Sequence, residues 1–274
     1  MPVSARTEAG SFSSKRNELV AFGGGAVIGA LGGLIGLGGA EFRLPLLIGL
    51  FRFAALEAVI LNKAMSLVVV ASALPFRARA VPLSLLAAHW TIVANLLAGS
   101  LLGAWVGASY ATRLNTSSLY RIIALLLFGI ALVLLFGHDA SGHGRPLLEG
   151  PLQIAAGLAA GLVIGVVSSL LGVAGGELLI PTLVILFGAD IKLAGSLSLA
   201  VSLPTMLVGF TRYSQDRSFA VLGQNRRFIG VMAAGSIVGT FIGGRLLGLV
   251  PNGLLLPLLA AILIVSAAKV GWHK

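Results

Sequence analysis

Two stretches of this 274-residue chain carry residue types that plain apolar sequence does not: GLGGAEFRLP (36–45) and GVAGGELLIP (172–181). Each runs from glycines to a glutamate and then to a proline, inside long apolar surroundings. Glycine weakens a helix by ~1 kcal/mol per residue, and proline is tolerated best in a first turn. The pattern predicts, twice over, a helix stop, an unwound link and a new helix start. Unwound backbone cannot face lipid, so it must be buried in protein or line a watery cavity. A helix start also presents unpaired N–H groups and about half a positive charge. Two such ends, near 41–45 and 177–181, suit an anion. The competing reading is that the glycines only allow close packing around a kink.

Glu41 and Glu177 deepen the pattern. Of the nine acidic residues, only these two lie inside long apolar stretches, and they occupy matching places. A carboxylate at such a depth costs about 2.5–3.5 kcal/mol on insertion scales, so it is usually functional or paired. Each glutamate is a candidate carrier of a coupling proton; the alternative is a capping role in a first turn. A charged glutamate beside a bound anion repels it, so anion binding and glutamate protonation should be linked.

Arg43 has no counterpart, because position 179 is Leu. It reads as a partner for Glu41, as a snorkelling side chain, or as positive charge for an anion. Asn62, Lys63 and Ser66 in NKAMS (62–66), with Ser198 and Ser202 in SLAVS (198–202), are weaker candidates. Serines in membrane helices more often bond backbone, yet hydroxyls at these places suit oxyanion oxygens. The predicted substrate-binding set is therefore Gly38, Gly39, Glu41, Arg43, Pro45, Asn62, Lys63, Ser66, Gly175, Gly176, Glu177, Pro181, Ser198 and Ser202. Proton coupling is assigned to Glu41 and Glu177. No catalytic residue, metal or cofactor is expected: no nucleophile elbow, HExxH, phosphate loop or paired metal-ligand motif is present.

The elements that hold these residues must be membrane helices. The chain is 57% hydrophobic and 10% charged, with 37 glycines and no cysteine, and its mean hydropathy is +1.02. Soluble domains carry roughly 25% charged residues and about 7% glycine. A soluble enzyme, a coiled coil and a disordered chain are excluded, as are disulfide and thiol chemistry. The formal charge of +10 is spread singly between apolar runs, which fits membrane orientation rather than nucleic-acid binding. The four histidines are too scattered for a metal site.

A span needs about 20 apolar residues. Such runs occur near 19–37, 58–76, 84–110, 119–137, 152–171, 194–211, 228–249 and 253–270. Two others, near 41–51 and 177–187, reach only ~16 Å as helix and cannot span alone. The chain is also written twice. A shift of 136 aligns Gly25–Phe51 with Gly161–Phe187 without a gap, at 12 identities in 27 positions. The same shift pairs Ser66 with Ser202, and Gly99, Gly103 and Gly107 with Gly235, Gly239 and Gly243. The last two sets, GSLLGAWVG and GSIVGTFIG, are helix-packing stripes of small residues. Trp90 reads as an interfacial anchor and His89 as a satisfied edge residue.

The expected organisation is a cytoplasmic tail (1–18), a first transmembrane repeat (19–137), a polar linker (138–151) and a second repeat (152–274). Three or five crossings per half are both odd, so the halves insert in opposite directions as an inverted repeat. With the N-terminus inside, thirteen basic residues face inward and five outward, Arg43 being left in the break. That satisfies the positive-inside rule and places both termini in the cytoplasm of an inner-membrane protein. The predicted fold is all-α, with about eight spans, some broken or re-entrant at the midplane. Short, Gly/Pro-interrupted segments at matching places in two halves point to a transporter's substrate site.

The duplicated copies GAVIGALGGLIGLGGAEFRLPLL (25–47) and GLVIGVVSSLLGVAGGELLIPTL (161–183) resemble the sulfite exporter TauE/SafE family of membrane permeases. The resemblance covers nearly the whole chain. It implies a secondary transporter of small sulfur-containing anions such as sulfite, sulfoacetate or other organosulfonates, often in the export direction. Ala40 opposite Gly176, and the unmatched Arg43, depart from equivalence and leave the half-sites asymmetric. The expected partners are a small anion and the lipid bilayer, with a homo-oligomer as an option and no nucleic acid. Two rival readings stand beside this one: a cation/proton exchanger using the same glutamates, and a membrane partner protein that transports nothing.

Overall fold

The structure is a computed structural model. It describes residues 15–36, 38–115 and 146–247, together with positions 117, 118, 121, 122, 125, 128 and 264. In chain order the helices are α1 (Lys15–Ile35), α2 (Ala40–Gly49), α3 (Ala55–Arg77), α4 (Leu83–Ala88), α5 (Trp90–Ala111), α6 (Gly150–Leu171), α7 (Gly176–Phe187), α8 (Ile191–Tyr213), α9 (Ala220–Gln224) and α10 (Arg226–Leu246), with a 3-10 turn at Arg217–Phe219. No strand occurs among the described residues.

Five described helices, α3, α5, α6, α8 and α10, are long and apolar enough to cross a membrane. The chain is a multi-pass membrane protein. The Glu18–Leu34 part of α1, and α7, are shorter apolar helices. Apart from the five single positions 121, 122, 125, 128 and 264, the expected runs at 119–137 and 253–270 lie outside the described residues, as do most of the linker and the first fourteen residues. One expected span is corrected. The run 84–110 is not one helix but α4 and α5, divided at His89, whose backbone leaves the helical region (φ −105, ψ 22). Its Nδ1 lies 2.9 Å from the Leu85 carbonyl, which satisfies the ring at the corner.

Local chemistry sets matching ends in the two halves. At the start of α3 the Ala54 amide donates to Glu57 Oε2 (3.4 Å). At the equivalent start of α8, the Asp190 carboxylate accepts from the Lys192 amide (2.9 Å). Both devices give orphan first-turn donors an acceptor. α7 stops at Gly188 with φ 68, and the chain after α2 turns at the equivalent Arg52 with φ 56.

The packing is exchanged between halves. α1 lies along α10, and α5 along α6, while α3 and α8 pack on each other in the middle. Glycines make the two long pairings possible. A Cβ on Gly235, Gly239 or Gly243 would collide with the carbonyls of Phe22, Ala26 and Ala30 of α1. A Cβ on Gly99, Gly103 or Gly107 would collide with those of Leu158, Leu162 and Val166 of α6. Each of the first three stands 136 positions after its counterpart in the second. The stripes therefore do pack helix on helix, always against the other half.

Candidate functional site

Both expected breaks are present. α1 ends at Ile35; Gly36, Gly38 and Gly39 take φ values of 92, 84 and 67, and α2 begins at Ala40. α6 ends at Leu171; Gly172 and Gly175 take φ values of 66 and 80, and α7 begins at Gly176. An L side chain in that conformation pays roughly 1–2 kcal/mol, which is why glycine fills these places. The N-cap residues of α2 and α7 are Gly39 and Gly175, and neither offers a side chain to the first-turn amides.

The two breaks touch. A Cβ built on Gly38 lies 3.0 Å from that of Ala174, its equivalent in the second half. Both links are buried, with Val173 and Ala174 at 0% and 1% exposure, so the unwound backbone is enclosed by protein as a bilayer demands. Side chains satisfy its carbonyls. Ser198 Oγ donates to Gly36 O (2.9 Å) and Ser202 Oγ to Ala174 O (2.6 Å). Asn62 Nδ2 donates to Ala40 O (3.0 Å) and to Leu171 O (3.4 Å). Asn62 and Ser198 are equivalent residues, and each reaches across to the end of the other half's broken helix.

The prolines correct the expected position of the new helix starts. α2 and α7 begin just before the glutamates, so Pro45 and Pro181 sit in the second turn rather than the first. A proline there supplies no N–H to the carbonyl four residues back. Those carbonyls belong to Glu41 and Glu177. Glu177 is fully buried in the first turn of α7. Glu41 is the second residue of α2, and its side chain lies outside the described positions.

Three cations are buried around the breaks. Arg43 Nη1 donates to Ser66 Oγ (3.0 Å) and Asn62 Oδ1 (3.5 Å), and Nη2 to Ser236 Oγ (3.5 Å). The guanidinium is fully enclosed, so snorkelling is overturned: α2 is too deeply packed for its stem to reach an interface. Lys63 Nζ donates to Ser169 Oγ (3.3 Å) and stands 5.8 Å from the centre of the Tyr213 ring. Gly209 leaves room for it, since a Cβ there would lie 2.7 Å from Nζ. Arg77, one of the five basic residues that the sequence assigns to the outer side, is instead buried. It donates to Gly33 O (3.0 Å), Leu34 O (2.9 Å), Lys192 O (3.1 Å) and Ser196 Oγ (3.1 Å). The carbonyl end of α1 supplies the partial negative charge that draws the guanidinium inward.

The interior is lopsided. Among the described residues the three buried cations come from the first half, and their equivalents in the second half are Leu179, Leu199 and Tyr213. Among the described residues, Lys63 and Arg77 have no carboxylate partner. Sequence reasoning missed Arg77, Ser169 and Tyr213. The available signal was the 136-residue offset itself, which matches Arg77 to Tyr213 at the ends of two equal helices.

A protein-family model described as Sulfite exporter TauE/SafE matches residues 20–270 of the chain. No curated protein and no solved structure gives a significant match.

Proposed function

The chain belongs to the sulfite exporter TauE/SafE family, and from that premise we propose that it is a secondary transporter of a small sulfur-containing oxyanion. Sulfite, sulfoacetate and related organosulfonates are the candidate cargoes, and export is the proposed direction. The observation that carries this reading is Lys63, an ammonium enclosed by protein and, among the described residues, held by a hydroxyl and an aromatic face alone. A buried charge is costly unless compensated, and a transported anion is a compensating charge that comes and goes. Glycine-capped N-termini of α2 and α7, two residues from the contact between the breaks, favour the same sign.

In the proposed cycle the anion sits between those helix starts, near Gly38, Gly39, Gly175 and Gly176. Arg43, Asn62, Lys63, Ser66, Ser198 and Ser202 shape its surroundings, and Pro45 and Pro181 hold the short helices in place. Glu41 and Glu177 take up protons as the anion enters, because an ionised carboxylate beside it would repel it. The halves then rock about the site by alternating access. The proposed topology is opposite insertion of the halves in an inner membrane, with about eight spans and both termini cytoplasmic; the reciprocal packing of α1 on α10 and α6 on α5 supports two related halves. With Lys63 and Arg77 taken out of the loops, twelve basic residues face inward and four outward.

One observation favours a second reading. Pro45 and Pro181 offer no N–H to the carbonyls of Glu41 and Glu177, and oxygen donors beside carboxylates suit a cation. The enclosed Lys63 weighs against it. Reconstituted protein separates the two readings. Labelled sulfite and sulfoacetate flux is measured with and without an imposed pH gradient, beside Lys63→Gln and the double variant Glu41→Gln/Glu177→Gln. Anion flux that follows the gradient, falls in Lys63→Gln and vanishes in the double variant supports the proposal. Gradient-independent flux removes the proton role, and absence of flux for every sulfur oxyanion overturns the cargo.

A further inference from the structure

Away from the breaks, the last turns of α3 and α10 enclose a cleft of about 140 Å³ lined by Pro75, Phe76, Arg79, Phe241 and Arg245. Phe76 meets Phe241 edge-on, with ring centres 5.5 Å apart. The Arg245 guanidinium lies over the Phe241 ring at 4.9 Å. Stacking of this kind uses the face of the guanidinium and leaves its in-plane N–H groups for an acceptor. Among the described residues, neither Arg79 nor Arg245 is given one by a hydrogen bond or an ion pair.

The equivalent corner of the other half shows what a filled version looks like. Shifting by 136 turns Phe76 into Arg212, Arg79 into Gln215, Phe241 into Trp105 and Arg245 into Ser109. There the cation sits in the middle and the acceptors sit on its flanks. Arg212 Nε donates to Ser109 Oγ (2.8 Å) and Nη1 to Gln215 Oε1 (3.3 Å), with the guanidinium 5.8 Å from the Trp105 ring. That corner is internally satisfied. In the α3–α10 corner the roles are exchanged: an aromatic ring takes the middle, two cations take the flanks, and the described residues supply no acceptor.

We propose that the α3–α10 cleft is a binding site for an oxyanion of the phosphate type, clamped between Arg79 and Arg245. Two guanidinium forks match the oxygens of such a group and bond it in charge-assisted pairs. The rings of Phe76 and Phe241 and the Pro75 face supply an apolar wall for whatever carries it. The corner lies at the ends of two spanning helices, where basic pockets meet lipid headgroups. A phospholipid and a soluble organophosphate both carry the required chemistry. The site is separate from the breaks and does not depend on the transported species.

The test uses the full chain purified in neutral detergent. Retention of phosphatidylglycerol is compared with that of phosphatidylcholine by native mass spectrometry, and glycerol phosphate is titrated in a thermal-shift assay. Arg79→Gln/Arg245→Gln is expected to weaken the bound species roughly tenfold or more, as loss of two charge-assisted bonds implies. The single variants Arg79→Gln and Arg245→Gln should each weaken it less, and Arg212→Gln should leave it unchanged. Selective retention of phosphatidylglycerol identifies a lipid headgroup, and a saturable shift with glycerol phosphate identifies a soluble ligand; both support the site. Binding of neither, or binding equally insensitive to Arg79→Gln and Arg245→Gln, overturns it, as does equal loss in Arg212→Gln.

Discussion

Arg77 and Tyr213 occupy equivalent places at the ends of α3 and α8, and each donates to the equivalent carbonyl of a broken helix. Arg77 reaches Gly33 O at 3.0 Å and Tyr213 Oη reaches Ser169 O at 2.7 Å. Gly33 and Ser169 are themselves 136 residues apart. One mechanical task, fastening the carbonyl end of the helix before the break, is performed by a cation in one half and a phenol in the other. The cation fastens more, since it also holds Leu34, Lys192 and Ser196.

The two fasteners should therefore differ in cost. Tyr213→Phe removes one hydrogen bond while Ser169 O keeps the Gly172 amide as donor (3.1 Å), which is expected to lower stability by about 0.5–1.5 kcal/mol. Arg77→Met removes four hydrogen bonds and takes the side-chain donor from the Gly33 and Leu34 carbonyls, while Lys192 O keeps the Ser196 hydroxyl, and about 3–5 kcal/mol should be lost. Thermal melts of the detergent-purified variants check the order. Equal shifts would show that the guanidinium contributes no more than the phenol.

The glycine stripes make a second prediction. Gly239→Ala and Gly103→Ala each drive a methyl into a carbonyl of the facing helix, Ala26 and Leu162 respectively. Overpacking of this kind costs about 1–3 kcal/mol or more, so both variants should melt well below the parent, and by similar amounts. Gly230→Ala is the control, because nothing lies within 4 Å of its added methyl. On an exposed helix face that change should stabilise by up to ~1 kcal/mol.

A third prediction concerns the turn after each short helix. Arg52 holds φ 56 where its equivalent Gly188 holds φ 68. Arg52→Gly should raise stability by a few tenths to about 1 kcal/mol, the relieved left-handed strain being partly offset by glycine's greater unfolded entropy. Gly188→Ala should lower it by roughly 1–2 kcal/mol. A melting temperature that falls in Arg52→Gly would mean that the Arg52 side chain holds the turn by its own contacts.

Ser198 offers a fourth. Its hydroxyl donates to both Gly36 O and Gly195 O at 2.9 Å, so Ser198→Ala leaves the bond between the halves unmade. A loss of about 1–2 kcal/mol is expected, and Ser198→Thr, which keeps the hydroxyl, should recover most of it. The pair of melts distinguishes a lost donor from a lost volume.

Much of this was written in the sequence because it is local or repeated. Gly36 to Pro45 and Gly172 to Pro181 announce the breaks by composition, and the stripes on α5 and α10 announce close packing by spacing. The unreadable part is long-range. A stripe says that another backbone comes near, but not that Gly239 meets Ala26 while Gly103 meets Leu162. Arg77 ends an apolar run, so its charge reads as a loop residue until the carbonyls of Gly33 and Leu34 are seen to enclose it. Pro45 and Pro181 look like first-turn residues because glycine is a poor helix former, yet Gly176 and Ala40 already lie inside the new helices. His89 divides a run whose hydropathy gives no hint of a corner.

The exchange of α1 and α6 between halves bears on assembly. Among the described residues, the glycine-lined surface for a half's first helix is supplied by the fifth helix of the other half. Two copies of one half provide it for each other, as in a domain-swapped dimer. A gene cut within the linker should thus yield two polypeptides that recover each other in the membrane, whereas either piece by itself is left with a bare glycine groove. During synthesis the α1 face that meets the stripe must likewise wait until some two hundred further residues have been made and α10 arrives to close over it.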